Sequence, residues 1–298
     1  MITAENLTKR YGNRLAVDDV SFTARPGRIT GFLGPNGAGK STTMRMLSAL
    51  ATPTSGTSTV LGVPFGALTN PGRHVGILLD AGAQHPGRTG RESLAISSQL
   101  MGMPPERVDD VLDIVGLTAK EGRARIRGYS LGMRQRLGLA SALLGDPSVL
   151  ILDEPANGLD PAGIRWMRGL LSSFAAAGGT VLLSSHLLLE VEAIADDLII
   201  IGDGKVLAQG SAADLLAAPG TEVHSLDDAA LQRALVAAGF EVTVTASGLT
   251  TSATVDDVGR LALASGVVVT DLHPAATAGL ESLFFSMTAQ HGREDVSA

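Results

Sequence analysis

The stretch GPNGAGKST, residues 34–42, decides the fold. It fits the pattern G-x-x-x-x-G-K-[ST], and it lies between a segment typical of a buried strand and a segment typical of a helix. Gly34, Gly37 and Gly39 let the backbone curl so that consecutive N–H groups point toward one anion. The pattern in this context predicts a loop that binds phosphate.

Two side chains of this loop suit nucleotide chemistry. Lys40 supplies a positive charge for terminal phosphates, and Ser41 offers a hydroxyl to Mg²⁺. We therefore expect a phosphate-bearing ligand and Mg²⁺ at this loop. We expect the whole loop to contact the nucleotide: Gly34, Pro35, Asn36, Gly37, Ala38, Gly39, Lys40, Ser41 and Thr42.

Carboxylates follow a second apolar segment, SVLILDEP at 148–155. Because parallel sheets bind ligands at the carboxyl ends of their strands, Asp153 is expected to hold Mg²⁺ directly or through water. Glu154 is placed to polarise an attacking water. A third strand, TVLLSSH, ends in His186, which could bind a phosphate oxygen or that water, although a single histidine at a strand end is often incidental.

Strands and helices alternate around these motifs. Residues 15–24 have strand character, helices are predicted over 161–177 and 187–195, and helical patterns dominate 91–145. Alternation of this kind predicts a mostly parallel sheet with helices on its faces and a helical insertion. From about residue 221 the order changes to β-α-β-β-α-β, followed by a last helix in AGLESLFFSMTAQ.

Composition excludes several classes. The 298 residues carry a net charge of −7, which argues against bulk nucleic-acid binding, and the lack of cysteine excludes disulfides and thiolate metal sites. The N-terminus has no apolar signal core, and runs such as VLIL are too short to span a bilayer. A membrane role would need another chain to do the spanning.

The motifs occur in an informative order. GPNGAGKST is followed by a helical insertion, then YSLGMRQRL (129–137), LILDEP, NGLD (157–160) and the strand that ends in His186. Over about residues 1–215 this order resembles the ATP-binding subunits of ABC transporters.

The resemblance implies an α/β phosphate-loop NTPase fold. Its expected parts are a mostly parallel core sheet, an antiparallel β subdomain, a helical subdomain at about 88–145, and a small C-terminal α+β domain. The expected domains are therefore residues 1–215, which bind ATP, and residues 221–298, which form an accessory domain and terminal helix.

The resemblance also implies roles for particular residues. Glu154 is the catalytic base, His186 the switch histidine, and Lys40 a third catalytic group. Tyr11 stacks on adenine, although an exposed loop tyrosine would look the same in sequence. The residues expected to act across a dimer are Asp160 of the dimer loop and Ser130, Leu131, Gly132 and Met133 of the signature.

Two departures from the family pattern stand out. Asp80 takes the place of the usual glutamine that senses Mg²⁺, with Gln84 four residues later as a possible substitute; we assign the metal-sensing position to Asp80. The usual L-S-G-G-Q signature reads Tyr129-Ser130-Leu131-Gly132-Met133. Since Leu131 adds bulk and Met133 removes an amide, we expect slow hydrolysis.

The resemblance implies a peripheral ATPase subunit at the cytoplasmic face of a bacterial membrane. Its partners are a separate permease and a second nucleotide-binding subunit, in a homodimer or heterodimer, with no nucleic acid. The C-terminal extension resembles that of drug- and antibiotic-resistance exporters. The stretch AGAQHPGRTGRESL (81–94) resembles the permease-docking surface and also fits a solvated loop. The alternatives are a soluble ABC-type ATPase acting on nucleic acid or ribosomes, and a non-hydrolysing nucleotide-gated regulator.

Overall fold

A computed structural model describes residues 1–185, 188–216, 220–245, 248–274 and 280–288. The described residues form two compact units, one over Met1–Ala212 with residues 284–288, and the other over Ala213–Leu283. The strands are β1 (Ile2–Tyr11), β2 (Arg14–Ala24), β3 (Arg28–Leu33), β4 (Ser55–Val60), β5 (Val75–Leu78), β6 (Val149–Asp153), β7 (Thr180–Ser184), β8 (Asp197–Gly202), β9 (Lys205–Ser211), β10 (Thr221–Ser225), β11 (Val242–Thr245), β12 (Gly248–Thr251) and β13 (Val269–Pro274).

The helices separate most of these strands. They are α1 (Lys40–Leu47), α2 (Gly90–Met101), α3 (Arg107–Ile114), α4 (Ala119–Gly122), α5 (Leu131–Leu143), α6 (Pro161–Ala176), α7 (Leu188–Glu192), α8 (Ala212–Leu216), α9 (Asp228–Ala237), α10 (Val255–Ala264) and α11 (Leu280–Thr288). Within the described ranges, no helix has both the length and the apolar character needed to cross a membrane.

The first unit is built on a six-stranded sheet of order β5-β6-β7-β3-β8-β9. Its first five strands are parallel, and β9 pairs antiparallel with β8. Strands β6, β7 and β8 are buried along almost their whole length, as runs such as VLIL require when helices cover both faces. The predicted mostly parallel core sheet is confirmed.

A second sheet, of order β2-β1-β4, is antiparallel throughout. Its inner face packs on the core sheet through Phe22, whose ring centroid lies 5.3 Å from that of Phe32 on β3. Strand β1 is irregular, because Asn6 has a positive φ of 50° and its side chain donates to Asp19 of β2. This sheet is the expected antiparallel β subdomain, although the sequence analysis did not single out residues 2–11.

Helices α2 to α5 lie between β5 and β6, which confirms the inserted helical subdomain. Thr89 caps α2 and Thr118 caps α4, each in a reciprocal capping box with the glutamate three residues later. Ser130 caps α5 by accepting the N–H of Met133 at 3.2 Å. Side-chain caps thus fix where three of the four helices begin.

The second unit has the predicted order β10-α9-β11-β12-α10-β13. Its four strands form an antiparallel sheet of order β11-β12-β10-β13, the arrangement of the split βαβ fold. Val223, Leu231, Leu249 and Val258 form its core together with neighbouring apolar side chains. Residues 278, 279, 289 and 290 of the predicted last helix lie outside the described residues.

Candidate active site

The phosphate loop joins the end of β3 to the start of α1. Gly37 and Gly39 have φ angles of 84° and 106°, which side chains rarely allow. At Gly39 a Cβ atom would lie 2.6 Å from the carbonyl oxygen of Ala16, so the glycine is also required by packing. Because Gly39 is the N-cap residue and provides no side-chain acceptor, the first N–H groups of α1 face the loop as an anion site.

Lys40 lies inside this loop and is only 7% exposed. Its Nζ donates to the carbonyl oxygens of Gly34 at 2.6 Å and Pro35 at 3.2 Å. Burial lowers the pKa of this ammonium, while the carboxylates of Glu154 and Asp153 act in the opposite direction. The lysine and the acidic pair therefore belong to one electrostatic site.

A cavity of about 490 Å³ opens over the phosphate loop. It brings together Tyr11, the acidic pair and most of the loop, with three further residues that carry no sequence motif. The lining residues are Tyr11, Arg14, Ala16, Asn36, Gly37, Gly39, Lys40, Ser41, Thr42, Leu79, Asp153 and Glu154. Gly34, Pro35 and Ala38 belong to the loop without lining the cavity. Arg14, Ala16 and Leu79 show no motif in sequence, since only the folded chain places β2 and the end of β5 beside the loop.

Tyr11 lies at the end of β1 and is about half exposed. The ammonium nitrogen of Lys9 lies 4.9 Å from the centroid of its ring. An exposed aromatic face at the edge of a phosphate cavity can stack on a flat base.

The acidic pair is held by β7. Asp153 is the last residue of β6, and its Oδ1 accepts a hydrogen bond from the Ser184 hydroxyl. Glu154 has a positive φ of 52°, and its N–H reaches both the carbonyl and hydroxyl oxygens of Ser184, at 3.2 and 3.1 Å. The Glu154 carbonyl accepts from Nε2 of Gln135 at 2.9 Å. Ser184 and Gln135 were missed in the sequence because their partners lie 19 to 31 residues away.

The residues present fit Mg²⁺ shared with a nucleotide. The hydroxyl of Ser41 and the carboxylate of Asp153 line the same cavity, and both are the oxygen donors that Mg²⁺ prefers. In the part of the chain that the structure describes, no group of three or more His, Cys, Asp or Glu side chains is arranged to hold a metal. The donor set therefore suits a cation that takes its remaining ligands from phosphates and water.

Asp80 does not line this cavity, although its neighbour Leu79 does. Its Oδ1 accepts the N–H of Gly82 at 2.7 Å in a local turn. Gln84 is directed elsewhere, because its Oε1 accepts from the Ser93 hydroxyl of α2 at 3.0 Å. Neither residue lines the cavity that Ser41 and Asp153 line, so the metal role of Asp80 stays a prediction.

The signature segment lies apart from the cavity of its own chain. Leu131 is 53% exposed and packs on Gly158 of the NGLD loop, where a Cβ atom would overlap the Leu131 side chain. Asp160 caps α6 by accepting the N–H of Gly163 at 2.8 Å. Of the signature residues Ser130, Leu131, Gly132 and Met133, none lines the phosphate cavity. His186 lies outside the described residues.

Comparison with known proteins identifies the family. A family model described as "ABC transporter" matches residues 17–157. The bacitracin transport ATP-binding protein BcrA of Bacillus licheniformis is 43% identical over 214 residues, which are 70% of this chain and 69% of the relative. The chain belongs to the ABC transporter family. The lantibiotic transport ATP-binding protein SrtF of Streptococcus pyogenes is 35% identical, over 70% of this chain and 90% of the relative.

Solved structures agree with this assignment. An ATP-binding subunit of an ABC transporter superposes with a TM-score of 0.66 at 26% identity, covering 72% of this chain and 91% of that one. A dimeric ABC cassette bound to ADP and Pi has a TM-score of 0.65 over 71% of this chain and 99% of that one. Because the two sequences are only 22% identical, this likeness supports the fold and nothing further. This chain is thus an ATP-binding subunit of the ABC transporter family, whose members are ATPases. The comparisons favour neither a soluble ATPase acting on nucleic acid or ribosomes nor a non-hydrolysing regulator.

Proposed function

We propose that this chain hydrolyses ATP to power a bacterial exporter whose membrane permease is a separate chain. The observation that carries the proposal is that Lys40, Asp153 and Glu154 line one cavity over the phosphate loop. The sequence relatives support transport of an antibiotic-like substrate, since their names include bacitracin transport, lantibiotic transport and Nod factor export. The proposed ATP-binding domain spans residues 1–215, and residues 221–298 are proposed to form an accessory domain and a terminal helix.

In the proposed reaction, each residue of the cavity has one task. Lys40 binds the terminal phosphates, and the N–H groups at the start of α1 bind phosphate oxygens. Ser41 and Asp153 would hold Mg²⁺, which when bound neutralises charge on the phosphates. Glu154 takes a proton from the attacking water as the water oxygen bonds to the terminal phosphorus, and the bond from that phosphorus to the bridging oxygen breaks to release ADP and phosphate. Tyr11 stacks on adenine, and His186 is assigned to the terminal phosphate.

The proposed working unit is a dimer. Because Ser130, Leu131, Gly132 and Met133 lie outside their own chain's cavity, they are assigned to the nucleotide held by a second subunit, with Asp160 in the same interface. The second subunit is either another copy or a related chain. The pair docks on the permease at the cytoplasmic face of the membrane, with residues 81–94, which run from the loop after β5 into α2, as the docking candidate. Separation after hydrolysis shifts the permease between two states.

ATP turnover by the purified chain tests this proposal. We expect Mg²⁺-dependent hydrolysis by the wild type and a loss of about a hundredfold or more in Glu154→Gln, with ATP still bound. The matched control is Glu106→Gln, since Glu106 is an exposed glutamate at the start of α3. No turnover, with or without a candidate permease, together with identical behaviour of Glu154→Gln, would overturn the enzyme assignment.

Testing the direction of transport requires the chain together with its permease in membrane vesicles. With the candidate permease in inside-out vesicles, export predicts that bacitracin or a lantibiotic accumulates inside the vesicles only when ATP is added. Accumulation in right-side-out vesicles loaded with ATP would instead identify an importer.

A further inference from the structure

We propose that Gln135 is a positioning residue that holds the catalytic carboxylate of Glu154 through its backbone. The inference deepens the proposed function and rests on it. Gln135 lies on α5, is 3% exposed, and donates from Nε2 to the carbonyl oxygen of Glu154 at 2.9 Å. A buried side-chain N–H that donates to a backbone carbonyl fixes the position of that peptide group.

The Glu154 peptide needs to be fixed because its conformation is unusual. A φ of 52° places a non-glycine residue in the sparsely populated left-handed region. The surrounding contacts hold it there from two sides. Ser184 of β7 accepts the Glu154 N–H, while Gln135 and the N–H of Asn157 donate to its carbonyl. The direction of the Glu154 side chain follows from this backbone geometry.

The helix that carries Gln135 is also the helix that begins at the signature. Ser130 caps α5, and Gln135 lies five residues later, about 7.5 Å along the helix axis. A shift of α5 therefore moves Ser130 and the amide of Gln135 together. Through this one side chain, the position of the signature in a subunit sets the position of that subunit's own catalytic carboxylate.

The first test separates positioning from binding. Gln135→Met keeps the length of the side chain and removes the donor, so we expect kcat to fall by about tenfold or more. Because Gln135 does not line the cavity, ATP affinity, measured with a fluorescent ATP analogue, should stay within about twofold of the wild type. Gln99→Met on the exposed surface of α2 is the matched control and should leave both values unchanged.

The second test uses protonation. In Gln135→Glu the ionised carboxylate cannot donate, whereas the protonated acid can donate to the Glu154 carbonyl. The ratio of its kcat to that of the wild type should therefore rise as the pH falls from 8 to 6. A variant that merely loosens the core would show no such rise. Thermal unfolding followed by circular dichroism checks that each variant is folded at the assay temperature.

The outcomes are distinguishable. Wild-type kcat in folded Gln135→Met, or a flat pH ratio in Gln135→Glu, overturns the positioning role while Glu154→Gln remains inactive and the proposed function stands. If the wild type itself shows no turnover with or without permease, the proposed function fails, and the role of Gln135 fails with it.

Discussion

The ammonium of Lys40 donates to the carbonyl oxygen of Gly34 at 2.6 Å, so the phosphate loop closes on its own lysine. Burial lowers the pKa of Lys40 from its ordinary value of 10.5. Phosphate oxygens favour the charged form, and nucleotide binding must therefore raise this pKa again. The loop and its ligand are coupled through one proton.

We expect ATP binding to take up a proton at alkaline pH. Between the lowered pKa of free Lys40 and its higher value in the complex, affinity should fall as the pH rises. Titration calorimetry in buffers of different ionisation enthalpy measures the proton count. In Lys40→Arg the charge cannot be lost, and the pH dependence should vanish. An affinity of the wild type that is flat across this range would contradict the expectation.

Replacing Leu131 by glycine should speed ATP turnover. Leu131 is half exposed and stands where the family pattern has glycine, so its side chain adds bulk to the surface assigned to the second subunit. The steady-state rate should rise several-fold at saturating ATP. Leu226→Gly, at an exposed position of the C-terminal unit, is the control. An unchanged rate would show that the dimer already accommodates the leucine.

The contact between Leu131 and Gly158 should appear as coupling in stability. Gly158→Ala introduces a Cβ that overlaps Leu131 and also strains a φ of 78°. In the Leu131→Gly background only the strain remains, and the loss of unfolding free energy should be smaller by about 0.5–3 kcal/mol. Urea unfolding of the wild type and the three variants of the cycle measures this difference. An equal loss of unfolding free energy in both backgrounds would mean that position 158 does not interact with the Leu131 side chain.

Arg136 and Trp166 join α5, α6 and the end of α3. The guanidinium stacks 4.6 Å from the tryptophan ring, Arg136 Nη1 donates to Val115 O at 2.6 Å, and Trp166 Nε1 donates to Ile114 O at 3.2 Å. We expect Arg136→Met to lower the unfolding free energy by about 1–3 kcal/mol.

The measurement for Arg136 is direct, because Trp166 is the one tryptophan in the sequence and reports this site by fluorescence. Arg165→Met changes an exposed arginine next to Trp166 and serves as the control. Equal unfolding midpoints for Arg136→Met and the wild type would show that the stacked pair contributes nothing to stability.

Asp80→Asn should leave the Mg²⁺ requirement of ATP turnover little changed. The amide oxygen of asparagine can still accept the Gly82 N–H, and Asp80 lies outside the cavity lining. Asp153→Asn should raise the Mg²⁺ concentration for half-maximal rate by about tenfold or more. Magnesium titrations of both variants at fixed ATP make the comparison. An equal increase in the Mg²⁺ concentration for half-maximal rate in both variants would show that Asp80 also contributes to the metal site.

The fold followed from sequence wherever a local pattern carried it. GPNGAGKST identified the phosphate loop, buried apolar runs identified β6 to β8, and the β-α-β-β-α-β order identified the C-terminal unit. Residues 2–11 carry no clear strand pattern in sequence, because β1 is interrupted by shifts in register and has no regular alternation of buried and exposed residues.

The site was predictable only in its motif residues. Gln135 and Ser184 form hydrogen bonds with a residue distant in the chain, and Arg14 and Leu79 reach the cavity only in the folded chain, so spacing could not reveal them. Asp80 illustrates the same limit: its position just after β5 predicts a metal contact, and the folded chain adds a hydrogen bond from the Gly82 N–H to its carboxylate that spacing could not reveal.

Glu154 links the stability of the protein to its chemistry. A non-glycine residue in the left-handed region costs about 1–3 kcal/mol, and asparagine or glycine would occupy the same φ of 52° at less cost. Neither could replace the proposed base, since glycine has no side chain and asparagine has no carboxylate. Variants selected for heat resistance alone would therefore tend to lose glutamate here, and the proposed role of Glu154 in turnover accounts for the strained residue.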